Sequence, residues 1–141
     1  MTDAMAPRLV SSTHEPVAAV GRGIRRYVRL LLENWGLDAE MVEDALVVVE
    51  ELVANVVDHA RTRFALVVRL SNKILRIAVR DECATDPVLQ PFDAHAGRGR
   101  GLQLVASLSQ QWGYDHHDGG KTVWADLAVS PCKCREPCHE L

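Results

Sequence analysis

The chain has 141 residues, 48% hydrophobic and 25% charged, with a formal net charge of −3. That length and balance suit one domain large enough to bury a real core, and the mild acidity leaves no electrostatic footprint for nucleic acid. No apolar run reaches the length of a membrane span and no signal-peptide pattern opens the chain, so no membrane contact is expected and the expected compartment is cytoplasmic.

Residues 1–16 are read as an irregular, flexible amino-terminal segment with a short strand at 8–11. From Val17 the apolar positions Val17, Val20, Ile24, Val28, Leu31 and Trp35 recur at three or four, the period of a helix. Gly21 and Gly23 weaken its first turns, and Arg22, Arg25, Arg26 and Arg29 mark a side open to a partner or to solvent. Gly36 ends this helix and Asp38 is placed to cap the next, with Glu40 in its first turn.

Val42, Leu46, Val49, Leu52, Val53, Val56 and Ala60 continue a helical stripe to residue 60, and Val47 and Val48 lie off it. The helix is therefore expected to be covered on more than one side. On its polar edge Glu51 and Asn55 are four residues apart and share a face, with His59 one turn further on. A carboxylate and a carboxamide so aligned can hold a hydrated magnesium ion and a water between them; they equally suit the wet side of an amphipathic helix.

Residues 64–70 and 74–80 read as an antiparallel hairpin around a tight turn at Ser71-Asn72-Lys73. From Glu82 to Arg98 neither period is present, and Pro87 and Pro91 exclude a regular helix; a loop of that length suggests a lid. Gly97-Arg98-Gly99-Arg100-Gly101 then opens a helix whose stripe is Leu102, Val105, Leu108 and Trp112. A glycine-rich turn entering a helix lets backbone N–H groups approach a phosphate, although flexible linkers have the same composition. Residues 113–117 and 122–129 form a second expected hairpin around the turn Asp118-Gly119-Gly120-Lys121. Cys83 is isolated, whereas Cys132, Cys134, Cys138 and His139 crowd a terminal segment, 130–141, that reads either as a zinc or redox site or as a frayed reduced tail. The order implies an α+β two-layer sandwich with helices on one face of a mainly antiparallel sheet.

With these elements placed, the chain resembles the Bergerat-type ATPase fold shared by histidine kinases, gyrase B, Hsp90 and MutL. It is most similar to the small anti-sigma-factor serine/threonine-protein kinases of that group. The resemblance covers residues 17–129 and rests on ELVANVVDHA at 51–60, VRD at 79–81, GRGL at 99–102, and WG followed by GGKTVW between Trp112 and Trp124. It implies that Glu51 is the general base for an attacking serine hydroxyl and that Asn55 is the magnesium ligand orienting ATP. Asp81 would accept a hydrogen bond from the adenine amino group, with Thr122 the nearby hydroxyl on the base. Gly97, Arg98, Gly99, Arg100, Gly101 and Leu102 would wrap the triphosphate, and the first-helix arginine of the family would be Arg22 or Arg25. His59 would close the helix end rather than carry a phosphate.

The implied function is that of an ATP-dependent serine kinase acting on an anti-sigma-factor antagonist and sequestering a sigma factor, with a homodimer as the expected assembly. The alternative is a nucleotide-binding regulatory module without kinase activity. The chain departs from the family pattern after Asp81, where Glu82, Cys83, Ala84, Thr85 and Asp86 replace the expected glycines. Cys83 would either line the adenine pocket or be a small half-buried residue.

Overall fold

The computed structural model describes residues 7–87 and 101–129. The expectations for Gly97, Arg98, Gly99 and Arg100, and for the cysteine-rich tail, lie outside the described residues. In chain order the elements are β1 (Arg8–His14), α1 (Val20–Asn34), α2 (Ala39–Asn55) continuing into a π-helical turn at Val56–Ala60, β2 (Phe64–Ser71), β3 (Ile74–Asp81), α3 (Gly101–Leu108), β4 (Gln111–His117) and β5 (Gly120–Ala128). The strands form one sheet in the order β1-β2-β3-β5-β4, every neighbouring pair antiparallel. The three helices cover one face of it, giving the expected α+β sandwich.

Strand alternation decides which side chains enter the core. Phe64, Leu66, Val68 and Leu70 of β2, Leu75, Ile77 and Val79 of β3, and Val123, Ala125 and Leu127 of β5 are buried on the helix side. They meet Val42, Leu46, Val49 and Leu52 of α2, while α1 adds Ile24, Val28 and Leu32. Burying each large aliphatic side chain contributes about 1.5–3 kcal/mol, so this layer anchors α2 over the sheet.

The opposite face is built differently. Arg76 donates two hydrogen bonds to the Asp126 carboxylate, at 2.7 and 2.8 Å, and its guanidinium lies 4.3 Å from the Trp124 ring centroid, within cation–π range. A Cβ on Gly113 would lie 2.9 Å from the Trp124 ring, so the indole occupies the space that a side chain at 113 would need.

Local chemistry sets most boundaries. At the end of α1, Gly36 takes φ +88° and its N–H bonds the Glu33 carbonyl, while Leu37 N–H bonds that of Leu32; this pair of bonds closes the last turn as in a Schellman motif. Asp38 caps α2 by accepting the Met41 N–H at 2.8 Å. Asn72 and Lys73, both at positive φ, form the two-residue turn between β2 and β3.

Four boundaries differ from the sequence expectation. The amino-terminal strand extends to His14 and forms a sheet edge paired along β2. The first helix begins at Val20 rather than Val17, without a side-chain cap. Trp112 belongs to β4 and not to the α3 stripe: Ser109 Oγ donates to the Val105 carbonyl, and Gln110 N–H already bonds the Asp126 carbonyl of β5. The last turn contains only Asp118 and Gly119, and Gly120 and Lys121 pair within β5.

Candidate functional site

Helix α2 positions the site. Glu51 is buried, 8% exposed, and its Oε1 accepts the Gly101 N–H at 3.1 Å. Gly101 takes φ +51° and opens α3, so the carboxylate meets a helix amino terminus whose N–H groups lack intrahelical partners. Glu51 thus touches the last glycine of the 97–101 sequence directly. Leu102 has its side chain in the core at 2% exposed and anchors α3.

Asn55, one turn beyond Glu51, is half-buried and lines a cleft of about 380 Å³ with Asp58, His59, Cys83, Thr85 and Lys121. The helix widens there into the π turn, a distortion that occurs frequently at functional sites. Arg61 closes that turn in the left-handed conformation, at φ +58°.

Asp81 ends β3 on the helix-facing side, 2% exposed. Its Oδ1 accepts the Cys83 N–H at 2.8 Å, and Glu82 N–H bonds Thr62 Oγ1 at 2.9 Å. Side-chain oxygens thereby hold the backbone where the family pattern has glycines. The β3 carbonyl of Asp81 approaches Gly120 so closely that a Cβ there would lie 2.0 Å from it, which leaves room only for glycine.

Directly opposite Asp81 in the ladder is Lys121. Both side chains are buried, 1% and 4% exposed, and Lys121 Nζ lies 2.9 Å from Asp81 Oδ2. Oδ2 nonetheless lacks an aligned hydrogen bond. The ammonium neutralises its charge from off the hydrogen-bonding direction and also donates to the Cys83 carbonyl at 3.3 Å.

The expectation for Thr122 is corrected by the same alternation. Thr122 pairs with Arg80 on the face that carries Arg76 and Trp124, and its hydroxyl lies 3.3 Å from His117 Nε2. It therefore lies across the sheet from Asp81, and the neighbour of the buried carboxylate is Lys121. The signal was available: counting back by two from Leu127, Ala125 and Val123 reaches Lys121. Reading residue 121 as part of the turn concealed it.

The Cys83 thiol is half-buried and free of disulfide. Hydrogen bonds from Thr85, backbone first and then side chain, hold its pKa below the usual thiol value. At the rim, His116 Nε2 lies 2.7 Å from Asp86 Oδ1 and links β4 to the segment after β3. A larger cleft of about 740 Å³ lies between the start of α1 and α2, lined by Arg22, Arg25, Val49, Glu50 and Val53 among others. It contains neither Asn55 nor Lys121, which line the smaller cleft, so convergent polar chemistry favours the smaller cleft over the larger. Of the two candidate arginines, Arg25 pairs with Glu50 of α2 at 3.3 Å, both ends exposed.

The model of the histidine kinase-like ATPase domain matches residues 14–127. The chain belongs to that family. No curated protein sequence matches it. Among solved structures it is similar to the RsbU and RsbW domains of Rv1364c from Mycobacterium tuberculosis, with a TM-score of 0.68 at 19% identity, over 86% of this chain and 32% of that one. The likeness at that identity is one of fold, and the match spans about a third of the length of that chain. For a histidine kinase-like ATPase domain the shared chemistry is nucleotide binding. Glu51 against the α3 amino terminus and Asn55 one helical turn away at the cleft are donor types that fit a metal-bound phosphate group. At Asp81, expected from the resemblance to read the base, Lys121 already lies against the carboxylate. Among the described residues no helix is long and apolar enough to cross a membrane.

Proposed function

We propose that this protein is an ATP-dependent serine kinase that acts on an antagonist protein and, as a homodimer in the cytoplasm, holds a sigma factor inactive until the unphosphorylated antagonist competes for it. The observation that carries this reading is the contact of Glu51 with the first amide of α3, with Asn55 one helical turn away at the cleft. Phosphoryl transfer demands little covalent chemistry from a protein and depends on positioning and charge neutralisation. MgATP supplies the transferable phosphoryl group. Glu51 accepts the serine proton, for which it must come within hydrogen-bond distance of the hydroxyl. Asn55 would supply a neutral oxygen ligand to the magnesium ion that accompanies the nucleotide. Gly97, Arg98, Gly99, Arg100 and Gly101 hold the phosphates, and Asp81 reads the base.

One observation favours the second reading, a nucleotide-binding regulator without turnover: Lys121 is buried against Asp81, which weakens base capture. Incubation with labelled ATP and a serine-bearing antagonist separates the two. Label on the antagonist that disappears in Glu51→Ala supports the kinase; calorimetric ATP binding without label transfer supports the regulator.

A further inference from the structure

The pair at the floor of the cleft has a functional consequence that follows from its placement. Lys121 lines the cleft, whereas Asp81 behind it does not. Across the sheet Lys121 stands between Asp81 on β3 and His116 on β4, and His116 is tied to Asp86. The ammonium thus lies between a buried carboxylate and the Cys83 carbonyl, and Gly120 holds the strand close enough to Asp81 to keep it there. Asp81 Oδ2 retains an acceptor direction that the ammonium does not fill.

We propose that Lys121 is an internal plug of the base subsite, competing with the exocyclic amino group of adenine for the Asp81 carboxylate and so setting the affinity and selectivity of the pocket for adenine nucleotides. The proposal rests on the reading of Asp81 as the base-binding group. An amino N–H approaching Oδ2 meets an ammonium 2.9 Å from that oxygen, so the base must share the carboxylate with, or push aside, a counter-charge that is buried from water. The cost falls on the base and not on the phosphates. The expected sign is therefore opposite to that of the overall field, since removing a cation from a site for an anion would otherwise weaken binding.

The test is calorimetric titration of MgADP, and of inorganic tripolyphosphate with magnesium, into the full chain and into Lys121→Thr and Lys121→Gln. Thermal melts establish that each variant is folded at the titration temperature. Gln keeps a donor for Asp81 without charge, and so provides a folded variant should Thr leave the carboxylate too poorly compensated. The expected result is MgADP affinity higher by at least about tenfold in the variants, because a buried charge contact no longer has to be given up, with tripolyphosphate affinity unchanged or lower. Equal or weaker MgADP binding in the folded variants overturns the plug while leaving nucleotide binding intact, as does an equal gain for tripolyphosphate. Absence of MgADP binding in all three proteins overturns the plug together with the reading of Asp81.

Discussion

Separating Asp81 from Lys121 tests the burial of that pair directly. Lys121→Met leaves a carboxylate that is 1% exposed without a counter-charge, and Asp81→Asn leaves an ammonium that is 4% exposed with only the Cys83 carbonyl and a neutral amide. Removing one partner of a buried ion pair costs about 3–5 kcal/mol, whereas removing both and keeping the volume is close to neutral. Each single variant is expected to lose about 3 kcal/mol, and for a domain of this size that lowers Tm by roughly 10 °C. The double variant is expected to lose only about 1 kcal/mol, a coupling of several kcal/mol, as contacting charges show. The contrast is the exposed pair Arg25–Glu50, 43% and 53% exposed, for which solvent screening leaves a coupling of about 0.5 kcal/mol or less. Urea denaturation of the four proteins, followed by circular dichroism without nucleotide, provides the cycle. A coupling for Asp81–Lys121 as small as that of the surface pair would refute the buried geometry and the reasoning built on it.

Three further outcomes are expected. Asp38→Ala removes the acceptor of the Met41 N–H and should lower stability by about 1 kcal/mol, seen as a shift of the urea midpoint at constant slope. Asp126 has its pKa held below the ordinary carboxylate value, chiefly by the hydrogen bonds from Arg76; a depressed folded pKa gives stability that is present above the unfolded value near 3.9 and is lost as pH falls through the folded one. Because Arg76 is a third exposed, solvent screening reduces the contribution to about 1–2 kcal/mol, and Asp126→Asn should flatten the acid limb of stability against pH below about 4. Cys83, with its pKa lowered by Thr85, should be alkylated by iodoacetamide with a pH midpoint below that of a free thiol, about 8.5. MgATP should slow that reaction, as read at this residue by peptide mapping. Equal alkylation rates with and without nucleotide would place the bound base elsewhere.

The elements were legible where local chemistry and period agree. Asp38, Gly36 and the period-3.6 stripe placed α2, and the Val/Ile/Leu alternation on either side of Asn72-Lys73 placed the first hairpin. Glu51 and Asn55 were legible for the same reason, since a four-residue spacing on a helix fixes their common face whatever packs below. The β4 boundary was not. Trp112 continues the apolar spacing of α3, and only pairing with β5 shows that the backbone has already become extended.

The order of elements, the caps and the two-layer architecture were determined by the sequence alone, because periodicity and turn chemistry act between residues close in the chain. The tertiary structure decided which groups meet: Glu51 with Gly101, fifty residues apart, and Asp81 with Lys121 across the β3–β5 ladder. Cross-strand register transmits no local signal, and a shift of one residue exchanges the two faces of a strand. Thus Lys121, and not Thr122, meets the buried carboxylate because β5 enters the sheet at Gly120, where the close approach of the Asp81 carbonyl leaves no room for a side chain.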